Sequence, residues 1–501
     1  MHLFLYGPPG AGKTTIGKIL ARNLNLPFVD LDRIIEANAE KPIPQIMNEQ
    51  GETAFRDLEA SALKALCSPL AENKQGGGRG AVVALGGGAL LRDENRALAE
   101  SSGKVILLMA GLETLLERLE RDSEKRPLLA GDVRGKLTSL LETREEHYAS
   151  FPLKLHVDGK SAEQSAYHAQ MIFGRHHLSA MGEYDVRVGQ IPNLLPGDLI
   201  VTDENVAKYH LQKLPHTPAI ILPPGEEHKN LETVSRLWKS FLQHGLDRKS
   251  TVIALGGGVI SDLTGFAAST YMRGIAWIAV PTTLLAMVDA SLGGKTGIDL
   301  PEGKNLIGSF HPPKLVLADP SLLLTLSDRE LRSGMAEVVK HGVISDPELF
   351  EMCSRGMDWA KENIQTIVKR AMAVKIQVIE QDPYEKDIRA ALNLGHTVGH
   401  AVELVSGFKL SHGEAVAIGM VTEAKYAERI GIARKGVANM IGEVLSQLGL
   451  PVEIPNDISR EEMIPLMRVD KKRSAGSIRF ALPVEIGRVE LVEVDVLEDV
   501  L

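Results

Sequence analysis

Apolar runs that end in glycine clusters recur along the chain: HLFLYGPPG at 2–10, AVVALGGGA at 81–89 and TVIALGGGV at 251–259. A short apolar run without period-two alternation predicts a strand buried on both faces, the habit of parallel sheets. Helical patterns follow each run, so strands and helices alternate and the predicted class is α/β with parallel sheets. The second and third runs look alike, but the sequences after them diverge at once, which rejects an internal repeat. Between Lys160 and Tyr184 no strand stands out, and His176 and His177 sit among scattered small residues, so the main boundary is expected there. Beyond Leu326 helical spacing dominates, as in DRELRSGMAEVVKHG and NIQTIVKRAMAVKIQVIEQD, and predicts a mostly helical C-terminal part. QGGGRG at 75–80 predicts a surface turn.

A chain of 501 residues should hold about three domains at roughly 150 residues each. With 44% hydrophobic and 24% charged residues it has the composition of an ordinary soluble protein. A net charge of -9 and the lack of a long basic run exclude nonspecific nucleic-acid binding, so anionic substrates must meet locally placed cations. Two cysteines, Cys67 and Cys353, are too few for a disulfide framework or a cysteine-rich zinc site, and a reducing compartment is expected. The apolar start is too short for an export signal, and no uncharged run approaches the roughly 20 residues needed to span a bilayer. The expectation is a cytoplasmic protein with no membrane partner.

GPPGAGKT, Gly7 to Thr14, fits GxxxxGK[ST] between a strand and a helical pattern. The backbone amides of Gly10, Ala11 and Gly12 can face phosphates, Lys13 can reach the terminal oxygens, and Thr14, followed by Thr15, can ligate magnesium. In VDLDRIIE, Asp30 and Asp32 lie two apart at a strand end and are expected to point the same way. GETAFRDLE with Arg56, LGGGA with Gly87 and Gly88, and KRPLL with Arg126 complete a set that resembles shikimate kinase over nearly the whole first 160 residues. The resemblance implies a shikimate site of Asp32, Arg56, Gly87, Gly88 and Arg144, with the arginines on the carboxylate. It implies Asp32 as acceptor of the hydroxyl proton, Asp30 on magnesium, Arg126 in a lid-like segment over ATP, and Arg121 as a weaker adenine contact.

The second half offers VTDENVAKYH with Asp203 and Asn205, then PPGEEHKNLETV with Glu226 and Lys229. ALGGGVISDLTGFAASTYMRG adds Gly257, Gly258, Val259, Asp262 and Arg273 in a strand–turn–helix pattern that lets a pyrophosphate approach backbone amides. The run from VPTTLL to SFHPP brings Thr282, Thr283, Asp289, Lys295, Lys304 and Asn305, lysines beside glycines that suit a phosphorylated substrate. GMAEVVKHG places Glu337, Lys340 and His341 within one turn, and SHGEAVAIGM carries His412 and Glu414. NLGHTVGHAVE sets His396 and His400 four apart, on one helix face, and spacing alone selects that pair as metal ligands.

Taken in order, these motifs are similar to 3-dehydroquinate synthase from about Tyr184 onward. The resemblance implies a metal, zinc or cobalt, on Glu337, His396 and His412, with His400 left to substrate and proton transfer. It implies NAD on Asp203, Asn205, Glu226, Lys229, Gly257, Gly258, Val259, Asp262, Thr282, Thr283, Asp289, Lys304 and Asn305. The implied substrate shell is Arg273, Asp289, Lys295, Asn305, Lys340, Lys375, Arg389, Asn393, His400, His412 and one of Lys471 and Lys472. Lys295, Lys340 and His400 would act in the chemistry. Ser261 and Ala290 depart from the family's common glycine and serine.

The whole chain therefore looks like a fusion of a P-loop kinase domain with a parallel sheet (1–160), a linker (161–180), a Rossmann-like NAD-binding subdomain (181–326) and a mostly α-helical metal-binding subdomain (327–501). The implied activities are phosphorylation of shikimate by ATP with magnesium, and NAD-dependent conversion of 3-deoxy-D-arabino-heptulosonate 7-phosphate to 3-dehydroquinate and phosphate. In the second reaction oxidation of the C5 alcohol acidifies the neighbouring carbon, phosphate leaves by elimination, and the ketone is reduced again. Homodimerisation through the second half is implied by resemblance. The alternatives are another sugar-phosphate cyclase, a polyol dehydrogenase, which would accumulate NADH, or a half retained only as a scaffold. The two reactions are not consecutive, so shared expression explains the fusion better than channelling.

Overall fold

The computed structural model describes residues 1–68, 80–121, 132–192, 194–469 and 478–501. They form two compact units, Met1–His177 and Leu178–Leu501.

The first unit is built on a parallel sheet of β1 (His2–Tyr6), β2 (Phe28–Asp30), β3 (Val82–Ala84), β4 (Gly103–Met109) and β5 (Lys154–His156), in the order β2-β3-β1-β4-β5. β1 is buried along its whole length. Its alternating side chains serve two cores: Leu3 and Leu5 pack on one face with the helix Lys13–Asn23, Phe4 and Tyr6 on the other with Ile43–Leu66. The glycine runs after β1 and β3 both leave the carboxyl edge of this sheet.

The second unit carries a sheet in the order β7-β14-β11-β10-β8-β9. Its strands are β7 (Tyr184–Val188), β8 (Leu199–Asp203), β9 (Ala219–Leu222), β10 (Thr251–Gly256), β11 (Ala276–Pro281) and β14 (Leu315–Ala318), and the short strand β6 (Arg175–Leu178) spans the division between the units in sequence. The pairings from β7 to β9 are all parallel. An antiparallel hairpin, β12 (Lys295–Leu300) with β13 (Gly303–Phe310), interrupts the alternation. After Leu326 come the helices Asp328–Ser345, Ile364–Gln381, His396–Val405 and His412–Arg429, and one apolar core runs from the sheet into them. The chain closes with a second antiparallel hairpin, β15 (Ile478–Glu485) and β16 (Arg488–Val494), which the helical patterning did not announce.

Residues 161–180 hold more than the expected linker: the helix Ala162–Phe173, capped by Ser161 and Gln164, and strand β6. Along β6, His176 and Leu178 are buried while Arg175 and His177 are half-buried. The alternation is present, but an imidazole occupies one of the inward positions and disguises it as polar. Gln75–Arg79 of the glycine-rich turn lie outside the described residues. Among the described residues no helix is long and apolar enough to cross a membrane, and both cysteines are free.

Candidate active sites

In the first unit the phosphate-binding loop joins β1 to the helix Lys13–Asn23, whose cap is Gly12 in the left-handed region. Ala11 is buried and Thr15 exposed. Lys13 Nζ donates to the carbonyls of Gly7 (2.9 Å) and Pro8 (3.0 Å), which lays the ammonium along the loop. The Thr14 hydroxyl donates to Asp30 Oδ2 at 2.8 Å. Asp30 Oδ1 accepts the Asp32 amide at 3.2 Å and caps the helix Leu31–Ala39. This corrects the expectation that Asp30 and Asp32 share a strand face: β2 ends at Asp30 because that carboxylate starts a helix, and Asp32 stands in its first turn.

The GGG run packs against the remaining candidates. A Cβ on Gly86 would lie 2.9 Å from Asp32 Oδ1 and 2.8 Å from Glu59 Oε1, and one on Gly88 would lie 2.5 Å from the Arg56 guanidinium. A side chain at either glycine would push these groups aside. The Gly87 carbonyl accepts from Arg144 Nη1 at 2.6 Å and from the Tyr6 hydroxyl at 3.2 Å. Arg56 pairs with the buried Glu59 at 2.9 Å and with Glu52 at 3.0 Å. Asp32, Arg56, Gly87, Gly88 and Arg144 therefore meet at one end of the sheet. Glu59 and Tyr6 were not anticipated; Glu59, three residues after Arg56 in GETAFRDLE, was open to helical spacing. Arg118 was also missed: its Nη2 donates to the Val157 carbonyl at 3.2 Å, and its Nη1 comes within 3.6 Å of the Cβ position on Gly12.

In the second unit the carboxyl ends of adjacent parallel strands carry the cofactor candidates, where open α/β sheets bind ligands. Asp203 ends β8 and accepts the Val206 amide at 3.0 Å, with Asn205 exposed in the next turn. Gly257 caps the helix Gly258–Thr270, whose first turn includes Val259, and Thr283 Cγ2 lies 3.1 Å from the Cβ position of Gly257. Thr282 donates its amide to the Gly256 carbonyl at 2.9 Å. Lys229 gathers a cluster, reaching Asp262 at 2.6 Å, the Asn305 side chain at 2.6 Å and Glu226 at 4.0 Å.

Next to it lies a buried charge network. Lys375 is ion-paired with Asp289 and Lys340 with Glu337. Glu337 Oε1 stands 3.5 Å from His396 Nε2 and 3.3 Å from His412 Nε2, and these three donors form one potential metal cluster. The His400 ring is 5.2 Å from that of His396 and, among the described residues, His400 belongs to no such cluster, so the pair chosen by spacing is not the converging one. On the outer side Lys295 pairs with Glu385, which also accepts from Asn393 at 3.3 Å, and Arg389 packs beneath Gly293. Lys304 reaches Glu403 at 2.9 Å, and Glu403 stands 3.5 Å from His412 Nδ1. Arg273 is exposed, with φ 70°. Asp289, Glu337 and His341 form a second potential cluster sharing Glu337.

Residues 9–173 match the family model of shikimate kinase, and residues 219–333 and 334–473 match the models of the N-terminal and C-terminal parts of 3-dehydroquinate synthase. A bifunctional shikimate kinase/3-dehydroquinate synthase of Thermotoga maritima is 35% identical over 512 aligned residues, 99% of this chain and 99% of its own. The chain belongs to this bifunctional family. It is an enzyme with a kinase half and a lyase half, both in the shikimate pathway. The synthase half is 48% identical over 290 residues, 56% of this chain, to the 3-dehydroquinate synthase of Nostoc punctiforme, covering 80% of that protein. A solved structure of 2-epi-5-epi-valiolone synthase from Streptomyces hygroscopicus, with NAD+ and Zn2+ bound, aligns at a TM-score of 0.59 with 29% identity, covering 63% of this chain and 94% of its own.

Electrostatics in the synthase half follow from burial against pairing. Burial opposes charge on His412, but hydrogen bonds to Glu337 and Glu403 outweigh it and lift the imidazole to about 9. Burial would raise Glu403, yet His412 and Lys304 hold it down at about 2. Asp289 is likewise held below the usual carboxylate range by Lys375 against its burial, whereas burial drives His341 down to about 3. In the kinase half burial raises the Glu59 carboxyl despite Arg56. Arg126, Lys471 and Lys472 lie outside the described residues.

Proposed function

We propose that the unit Met1–His177 phosphorylates shikimate with ATP and that the unit Leu178–Leu501 converts 3-deoxy-D-arabino-heptulosonate 7-phosphate to 3-dehydroquinate and phosphate. The observation that carries the synthase reading is the Glu337, His396 and His412 cluster. Bonds of about 2.1 Å in a tetrahedral site separate ligand atoms by about 3.4 Å. The distances from Glu337 Oε1, 3.5 and 3.3 Å, match that edge, so these side chains fit a divalent ion such as zinc or cobalt. When bound, the metal supplies a Lewis acid for the substrate's alcohol and NAD, at the ends of β8, β10 and β11, supplies a reversible hydride acceptor.

The chain's own residues do the rest. Lys295, Lys375, Arg389 and Asn393 offer cations and a donor to the phosphate and carboxylate, exchanging Glu385 and Asp289 for substrate oxygens. Lys340 steadies Glu337, and His400, beside His396 but outside the converging donors, is placed to move a proton. In the kinase half Thr14 and Asp30 would hold magnesium, Lys13 the transferring phosphate, Arg56 and Arg144 the shikimate carboxylate, and Asp32 the hydroxyl proton. Arg126 would stabilise the transferring phosphoryl group, and one of Lys471 and Lys472 would contact the synthase substrate. The enzyme is placed in the cytoplasm, as a homodimer through its synthase half. Another sugar-phosphate cyclase activity is disfavoured because the relative that spans the whole chain carries the same kinase. The test is to assay one preparation for shikimate-dependent ADP formation with magnesium and, separately, for 3-dehydroquinate formation with zinc and NAD. Activity in both is expected; absence of either removes the proposal for that half.

A further inference from the structure

Glu423 is a carboxylate with no exposed surface, on the helix His412–Arg429, about three turns beyond His412. It accepts the Gly395 amide at 2.6 Å and the Val398 amide at 3.3 Å. These are orphan donors of another helix, His396–Val405, whose own cap, Gly395, has no side chain to satisfy them. The reach is possible because the two helices touch backbone to backbone: a Cβ on Gly395 would lie 2.6 Å from Met420 Cγ and 2.8 Å from the Val416 carbonyl.

From this we infer that Glu423 is a positioning residue for the metal centre, setting the rotation of the helix that presents His396. The inference rests on the reading of Glu337, His396 and His412 as metal ligands. His396 is the first residue of the helix, one peptide from the Gly395 amide, and Val398 N holds the same turn from a second point. Two bonds to one rigid carboxylate fix the turn about its axis, where one bond would leave it a pivot. A small rotation would carry His396 Nε2 away from Glu337 Oε1, now 3.5 Å distant. One helix thus supplies a ligand at its start, His412, and orients the helix of a second ligand from about three turns further on.

The test uses the full chain with zinc or cobalt alone. Zinc affinity is measured by chelator competition, and the visible spectrum of the cobalt form reports ligand geometry. In E423A both orphan amides lose their acceptor, and zinc affinity falls about tenfold or more, the scale of outer residues that orient ligands. The cobalt bands shift as well. E423Q keeps one acceptor oxygen but turns an amide group toward the second donor, and gives a smaller change in the same direction. Native affinity and native bands in folded E423A and E423Q would overturn the inference. So would loss of helical circular dichroism in both variants, which would make Glu423 a determinant of folding. A wild-type chain that binds no zinc defeats the metal-centre reading and this inference together; zinc bound by the wild type, with both variants unchanged, defeats the role of Glu423 alone.

Discussion

Thr14 donates its hydroxyl to Asp30 at 2.8 Å, while the other oxygen of that carboxylate holds the Asp32 amide. Asp30 therefore serves the phosphate-binding loop and the helix of the proposed base together. Asp30→Ala should lower the kinase kcat on the order of 100-fold at saturating magnesium, the scale of losing one group that stabilises transition-state charge. Asp30→Asn, which can still cap the helix, should keep native stability but not activity. Synthase turnover in the same samples should be unchanged.

Gly88 predicts a steric effect. A Cβ there would lie 2.5 Å from the Arg56 guanidinium, which is also held by Glu52 and Glu59. Gly88→Ala should displace Arg56 and raise the KM for shikimate about tenfold, roughly the 1.4 kcal/mol of one weakened carboxylate contact. The KM for ATP should hardly move. Equal changes in both would argue against Arg56 as a shikimate ligand.

The two glycine-terminated strands of the kinase half, and the β10 run in the synthase half, were legible because buried parallel strands are continuous apolar words. β6 was not, since His176 stands where an aliphatic residue is expected. The phosphate-binding loop was legible because its chemistry is contiguous. The metal cluster comes from three separate helices, and local spacing drew attention to His396 and His400, neighbours on one helix, while His412 arrives from the next. Lys304 was a candidate, but its partner Glu403 was not, although it falls three residues after His400. Glu385 left no sequence signal, because its bridge to Lys295 spans 90 residues.

His176 gives a pH dependence with a definite sign. Burial pushes its imidazole from 6.5 down to about 4, so between those values the unfolded chain binds the extra proton and stability is lost as pH falls. At pH 5 the cost is about 2 kcal/mol. His176→Leu should therefore show a smaller drop in Tm between pH 7 and pH 5 than the parent, whatever its absolute Tm. An equal drop would mean that His176 is not buried neutral.

Glu403 bridges Lys304 and the proposed ligand His412, so Glu403→Gln should weaken zinc binding about tenfold. Chelator competition reads this directly. Unchanged affinity would leave Glu403 to Lys304 and the NAD side of the cleft alone.

The measurement that bears most directly on the account is phosphate release from 3-deoxy-D-arabino-heptulosonate 7-phosphate by the zinc-loaded chain with NAD, with net NADH recorded in the same cuvette. The account predicts steady phosphate release with no net NADH, lost in His396→Ala while shikimate phosphorylation by that variant persists. Accumulating NADH, or undiminished phosphate release by His396→Ala, would contradict it.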